Sequence, residues 1–401
     1  LNSGKIPLIT GLSMLLIVLA LTAHNLLLGP TINESTGIYY THYNNYLIFK
    51  HSFFHLVENK DLYQGYPADH FDHYKYSPTF AVLMAPLAIL PDAVGLALWN
   101  ILNGLLLVYG IWKLPVRKES VHLYILLFVL LELIGSIQNC QSNGLITGLI
   151  LTGYMLTEHR RITLAALLFT IAFFIKPFAI VAFSLFLFFP ERVKSVLWSF
   201  FWLAVLFLLP LLVIKLNEFI SLYESWFQLL RSDKSTAPLS VGGFLQTWFG
   251  IAVHPLLLPL AGGIIMGLPL VRYHYYSDTN FRLLFLASLL IWVVLFNHKA
   301  ESPTYVIAIC GVAIWYFLKK RTLSDHILAG LVFIVTILAS SDLLPPKIMD
   351  NYYEPYVIKA VPVILVWFRI LYEQFTFRNS EVTEITTSLP PHPNPPVSRN
   401  R

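Results

Sequence analysis

Long apolar runs alternate with short polar turns along this chain. The runs are centred on 7–29, 93–113, 121–137, 143–157, 162–176, 178–190, 195–214, 251–271, 281–297, 303–318, 325–341 and 356–373. Apolar stretches approaching the roughly 20 residues that a helix needs to cross a bilayer core predict membrane helices. The stretch 78–90, inside "HYKYSPTFAVLMAPLAILPD", is different. As a helix it would reach only about 20 Å, against about 30 Å of hydrocarbon. It is expected to be a juxtamembrane or re-entrant helix. Upstream, 44–58 reads as an amphipathic helix, with Tyr46, Leu47, Phe53, Phe54 and Val57 on one face and Asn45, Ser52, His55 and Asn59 on the other. Ile48, Phe49 and Leu56 interrupt that pattern, which puts the helix half in the interface. The runs 162–176 and 178–190 are short and broken at Lys176-Pro177. As two crossings they bring the total to twelve; as one tilted helix, to eleven, with the second half inverted.

Composition sharpens this picture. Of 401 residues, 56% are hydrophobic and 12% charged, about half the charge of a soluble domain, and mean hydropathy is +0.66. The chain is expected to be an all-α polytopic membrane protein. Its net charge of +5 does not point to nucleic acid, because the basic residues sit in short clusters between apolar runs. Lys113, Arg117 and Lys118, then Arg160 and Arg161, Arg192 and Lys194, Arg272 and Arg282, and Lys319, Lys320 and Arg321 mark every second connection. Such connections face the cytoplasm. The alternation holds only if 78–90 does not cross, and it places both termini in the cytoplasm. The first run is too long for a signal peptide and lacks a small-residue cleavage site, so it reads as a membrane helix. Cys140 and Cys310 lie in or beside apolar runs, and no disulfide framework is expected.

The predicted organisation is a first helix in 1–29, a first outer loop in 30–92 with juxtamembrane helices, a multi-helix membrane domain in 93–375 and a disordered cytoplasmic tail in 376–401. The second outer loop, 215–250, contains the polar and flexible "RSDKSTAPLSVGG", and the third spans 342–355.

There is no GxxxxGK[ST] loop, HExxH, GxSxG or cysteine cluster. Polar residues concentrate instead on the predicted outer side. "YPADHFDHYKYSP" puts Asp69, His70, Asp72, His73, Lys75 and Tyr76 within eight residues. Carboxylates beside imidazoles suit general-base chemistry, and the same residues would suit a solvated loop. Gln138, Asn139, Gln141 and Asn143 stand at a helix junction, where amides either bind a sugar or cap a helix. Lys176 interrupts apolar sequence; it would hold a phosphate or snorkel to the interface. His298, Lys299 and Glu301 lie on the same side.

The order of these elements resembles glycosyltransferase family 87: a first outer loop ending in Tyr-x-Tyr-x-Pro, an "LP" break and an "LWNILN" helix, then Gln141-x-Asn143 and Ile175-Lys176-Pro177. The resemblance covers roughly 40–320. It implies a GT-C-like bundle of about 11–12 transmembrane helices and an inverting transfer from a polyprenyl-phosphate sugar, mannose-like, to a glycan or glycolipid acceptor. The active site would face outward from the cytoplasmic (inner) membrane. The donor is a substrate, so no cofactor is expected, nor a metal, and the partners are donor, acceptor and lipid bilayer. The family has an aspartate where this chain has Asn45, and a glycine where it has Cys140. The base is therefore expected to be Asp72 first and Asp69 second. Lys176 and Lys75 would hold the donor phosphate, and Asn45, Tyr76, Gln141, Asn143, His298 and Glu301 the sugar or acceptor. A lipid-linked saccharide transporter or flippase, or an inactive lipid-sugar-binding relative, are the alternatives.

Overall fold

The computed structural model describes residues 5–33, 36–232, 239–254, 256–340 and 344–378. The tail from 379 onward and residues 233–238 of the polar stretch of the second loop lie outside the described residues.

The protein is 75% helical with almost no sheet, an all-α polytopic membrane protein. Helix α1 (Lys5–Leu27) is an N-terminal span. A two-residue hairpin pairs Thr31–Ile32 with Tyr39–Tyr40. The first loop then forms α2 (Asn44–Val57), α3 (Pro78–Leu83) and α4 (Ala85–Ala88). Four long helices follow: α5 (Asp92–Trp112), α6 (Glu119–Gln138), α7 (Asn143–Glu158) and α8 (Ile162–Ile175). A 3₁₀ helix covers Pro177–Phe188, and α9 (Arg192–Leu208) completes this half. Beyond it lie α10 (Leu216–Ser232), α11 (Val241–Phe249), α12 (Leu257–Gly267), α13 (Thr279–Leu295), α14 (Tyr305–Phe317), α15 (Leu323–Leu331), α16 (Pro346–Ile348) and α17 (Val361–Phe375).

Every predicted apolar run appears as a helix, but continuous lengths differ from expectation. Among the described residues, four helices are long and apolar enough to cross a membrane, or five if the bent pair Pro346–Tyr353 and Ile358–Phe375 is one span. The other apolar helices run only 10–17 residues, as where Pro177 divides α8 from the 3₁₀ helix after it. Helices α13 and α14 form the centre of the bundle, buried all round from Phe281 to Leu295 and from Tyr305 to Trp315. The periphery is the reverse of a soluble surface. Leu12 and Leu16 of α1, Leu197 and Phe200 of α9, and Leu260 and Ile264 of α12 are all exposed, as lipid-facing side chains are where hydrocarbon is the solvent.

The 162–190 region is a helical hairpin. Lys176 leaves helical geometry at φ −134°, ψ 115°, and Phe169 of α8 packs on Phe183 and Phe186 of the 3₁₀ helix at ring-centroid distances of 5.9 and 5.3 Å. The chain therefore reverses at Lys176-Pro177. The region is thus two packed segments and not one tilted helix.

One expectation for the first loop is revised. The face of α2 turned into the protein carries Tyr46, Ile48, Phe49, Ser52, His55 and Leu56, while Val57 is exposed. The residues that interrupted the predicted stripe are the buried ones, because protein rather than the interface covers that face. In the second loop, 216–232 is an amphipathic helix. Phe219, Leu222, Tyr223 and Trp226 of α10 are buried at i, i+3, i+4 and i+7 spacing, the helical period.

The first half of the short greasy stretch is docked inside protein, while Ile89 at its far end is exposed. Ser77 caps α3 by accepting from Phe80 N, and Pro78 takes the first helical turn. The Ser77 hydroxyl donates to Phe174 O of α8 at 2.6 Å. Thr79 Oγ1 donates to Leu206 O of α9 at 2.8 Å and lies 2.9 Å from the Tyr223 hydroxyl of α10. Phe80, Ala81 and Met84 are buried.

Candidate active site

The α6–α7 corner is the scaffold of the site. A helix ends with carbonyls that lack intrahelical partners. Here three consecutive ones are met by side chains from three other elements. Asn25 of α1 donates to Gln138 O at 2.8 Å, Asn45 of α2 to Asn139 O at 2.8 Å, and Trp99 of α5 to Cys140 O at 2.9 Å. Asn103 of α5 accepts from Leu145 N at the start of α7. Close helix packing supports this: a Cβ at Gly148 would lie 2.6 Å from the Leu106 carbonyl carbon, so α5 and α7 touch backbone to backbone. Cys140 sits at φ +51°, the left-handed region that glycine enters without cost. That explains why the resemblance places a glycine there. Asn45 acts as a donor, which a carboxylate cannot replace unless protonated.

From this corner a hydrogen-bonded chain runs between two opposite charges. Lys176 Nζ donates to Asn143 Oδ1 at 2.7 Å, and Asn143 Nδ2 donates to Gln141 Oε1 at 2.7 Å and to Pro303 O at 2.9 Å. Gln141 Nε2 donates to Glu301 Oε2 at 2.8 Å. Asn143 is fully buried, Gln141 nearly so, and Glu301 exposed. Glu301 also caps the turn Ser302–Thr304. Below it, buried Lys359 joins Glu132 of α6, at 2.8 Å, to the Ser302 hydroxyl, also at 2.8 Å.

The first loop closes over this chain. Asn44 clasps the Phe71 peptide, accepting from its N–H at 2.8 Å and donating to its carbonyl at 2.7 Å. Asp72 follows at φ +71°. Its Oδ1 accepts from His73 N at 2.7 Å and its Oδ2 meets Lys75 Nζ at 3.0 Å, with both partners about half exposed. Tyr76 packs edge-on against Phe49 at 4.9 Å, and burial, together with the charges of Glu301 and Asp72, raises its hydroxyl pKa. Lys299 completes the group. Desolvation pulls its ammonium down to about 8, with Lys75 adding repulsion and Glu301 and Asp72 opposing. His298 lies against Phe178 with a ring-centroid distance of 5.6 Å. Its Nδ1 is buried without a hydrogen-bond partner among the described residues, and burial lowers its pKa.

Asp72, Lys75, Tyr76, Gln141, Asn143, Lys176 and Glu301 are thus brought to one face of the bundle, with Asn45 one peptide from the corner that holds them. Asp69 is not part of this group. Its Oδ2 lies 2.9 Å from His55 Nε2. Burial works to raise its pKa, but the His55 hydrogen bond and the neighbouring imidazoles of His51, His55 and His70 outweigh it and hold the carboxyl low. Lys299 was visible in "NHKAES" but not ranked, because nothing in a single sequence puts that loop beside the first one.

Cations, amides and carboxylates thus gather where a short docked helix meets the domain of a polytopic helical membrane protein. The chain belongs to glycosyltransferase family 87, whose family model matches residues 74–297, and is a membrane glycosyltransferase. That span contains Lys75, Tyr76, Gln141, Asn143 and Lys176; Asn45, Asp69, Asp72, His298 and Glu301 lie outside it. None of the curated proteins matches the chain.

Proposed function

We propose that the protein moves a sugar, mannose-like, from a polyprenyl-phosphate donor to a hydroxyl of a glycan or glycolipid acceptor, with inversion. The site would lie on the outer face of the cytoplasmic membrane, with both termini inside. The observation that carries this reading is the chain Lys176–Asn143–Gln141–Glu301 beside Lys75 and Lys299. A leaving lipid phosphate departs as an anion, and ammonium groups placed where that charge develops lower the barrier. Asp72 is the proposed base. An exposed pair such as Asp72–Lys75 is worth little, about 0–1 kcal/mol, so Lys75 can turn to the phosphate and release Asp72 Oδ2. Asp72 then takes the acceptor proton, the acceptor oxygen bonds to the anomeric carbon, and the bond from that carbon to the phosphate oxygen breaks. Lys176 and Lys75 hold the phosphate. Gln141, Asn143, Asn45, Tyr76, His298 and Glu301 hold or orient the sugar and acceptor. The docked 78–90 stretch forms the wall along which the prenyl chain enters. The basic turns on the other face support the orientation.

The test is transfer by purified protein from a polyprenyl-phosphate sugar. Asp72→Asn is nearly isosteric, and turnover is expected to fall at least about a hundredfold, the scale of a general base, with donor binding retained. Full activity in Asp72→Asn with loss in Glu301→Gln would move the base to Glu301. Donor binding without transfer in the wild type would mark a binding protein instead.

A further inference from the structure

Behind the site, α2 and the first loop bring together three imidazoles and a carboxylate that the proposed transfer does not use. His51 and His55 stand four residues apart on α2, so one helical turn puts both on the same side. Asp69 reaches them from the loop. Single ligand atoms of His51, His55 and Asp69 all lie within 4.8 Å of one another. The ring of His70 is 6.3 Å from that of His51 and 5.9 Å from that of His55, and His51 and His55 are 6.0 Å apart. The three rings thus form a nearly equilateral triangle. Around a tetrahedral ion with Zn–N bonds of about 2.0–2.1 Å, ligand atoms are ~3.3 Å apart and ring centres ~5 Å, so small side-chain shifts suffice.

We propose that His51, His55, His70 and Asp69 form a structural site for a divalent transition-metal ion of the zinc class. Nitrogen ligands from imidazole suit zinc and its borderline neighbours, while calcium and magnesium require oxygen shells. The surroundings are those of a metal site as well. His70 Nδ1 lies 2.9 Å from Asp72 O; a ring N–H given to a backbone carbonyl is the usual outer contact of a ligating imidazole, and it leaves Nε2 for the ion. Tyr66 lies over His55 with ring centres 3.9 Å apart, and Asp69 N and His70 N both donate to Tyr66 O. His55 of α2 and His70 of the loop are buried, and the Asn44 clasp on Phe71 and the stacking of Tyr40 on Phe71 hold the neighbouring peptide. The ion fastens loop residues 66–72 to α2 and sets the backbone from which Asp72 projects. The signal was present in the sequence as "HSFFH", but its third and fourth ligands come from 14 and 15 residues further on, across a loop of irregular geometry.

The experiment uses untagged full-length protein in detergent, stripped with chelator, and Zn²⁺ alone as the probe. Metal content after dialysis is expected to approach one ion per chain, with a rise in melting temperature that Mg²⁺ and Ca²⁺ do not reproduce. Co²⁺ in place of Zn²⁺ should give the visible absorption of a tetrahedral site. His51→Asn and His55→Asn should each weaken Zn²⁺ binding by about a hundredfold, and loss of His70 by about tenfold, within the range seen when metal-site residues are changed. His51→Asn carries the test if His55→Asn fails to fold, since His51 is only half buried. A wild-type chain that retains well under one Zn²⁺, or an ion retained unchanged in the His51→Asn variant, overturns the proposal. Because metal content and melting are read without any sugar, failure of the transfer reading leaves this result intact.

Discussion

The charged groups at the two faces of the bundle are organised differently. On the face of the basic turns, charges are matched inside the protein. Arg282 of α13 makes a two-pronged pair with Glu158 of α7, at 2.7 and 3.0 Å, with both residues buried. Arg321 and Lys319 meet Glu373 at 2.8 and 2.9 Å, and Arg369 meets Asp325 at 2.7 Å. Arg160 pairs with Glu191. On the site face, Lys50–Asp92 and the buried Lys359–Glu132 are matched in the same way, whereas Lys176 is held by an amide, and Glu301 by an amide and its own turn. Lys75 pairs with the half-exposed Asp72. Matched buried pairs join helices, and removing one member strands a charge in a low dielectric. Charges held through neutral amides keep their field for a ligand. On the proposed function, the difference separates groups that build the bundle from groups placed for chemistry.

The largest expected effect tests the first class. Arg282→Gln leaves Glu158 buried and unpaired, and is expected to cost about 3–5 kcal/mol, seen as loss of folded protein in a detergent melting assay. An unchanged melt would remove the distinction. Lys176→Gln comes next. It should leave the melt unmoved while donor use, read as kcat/KM, falls by about tenfold or more, because one charge-assisted contact is worth roughly 1.5–3 kcal/mol. A drop in melting without a kinetic defect would return Lys176 to the structural class. Asn45→Asp deletes the donor to Asn139 O and puts a carboxylate against a carbonyl that is open to water, so a stability loss of about 0.5–1.5 kcal/mol is expected. If transfer instead rises with stability unchanged, position 45 faces the donor and not the corner. The smallest effect is in the pH profile. Lys299 is charged below its pKa of about 8 and loses its proton above it. If it helps hold the phosphate, kcat/KM falls severalfold as pH rises from 7 to 9, since kcat/KM reports the free enzyme. Lys299→Arg should flatten that limb, because a guanidinium stays charged.

Some of this was open to reading from one dimension and some was not. Hydropathy located each apolar run because burial in lipid demands about the same apolar composition wherever a helix lies. Charge at the turns separated 78–90 from the crossings. The amides Gln141 and Asn143 and the cation Lys176 stood out because polar groups inside apolar sequence are costly. What composition could not show was direction. The buried face of α2 depended on which neighbours covered it, and α10 was concealed behind a polar loop although its stripe has a helical period. Asp69 and Asp72 lie three residues apart and looked alike, yet the αL backbone of Asp72 and the Asn44 clasp send one carboxylate to Lys75 and the other to His55. Likewise Asn45, an apparent loss of a base, is a donor that closes the end of α6. The chain's own order determined that this is a helical membrane protein with polar chemistry at one face, since local apolarity and charge are properties of short segments. Only the tertiary structure decided which of those polar groups meet, because Lys176, Gln141 and Glu301 are separated by long stretches of chain, and their contacts exist only once α6, α7, the hairpin at Lys176 and the turn before α14 have packed.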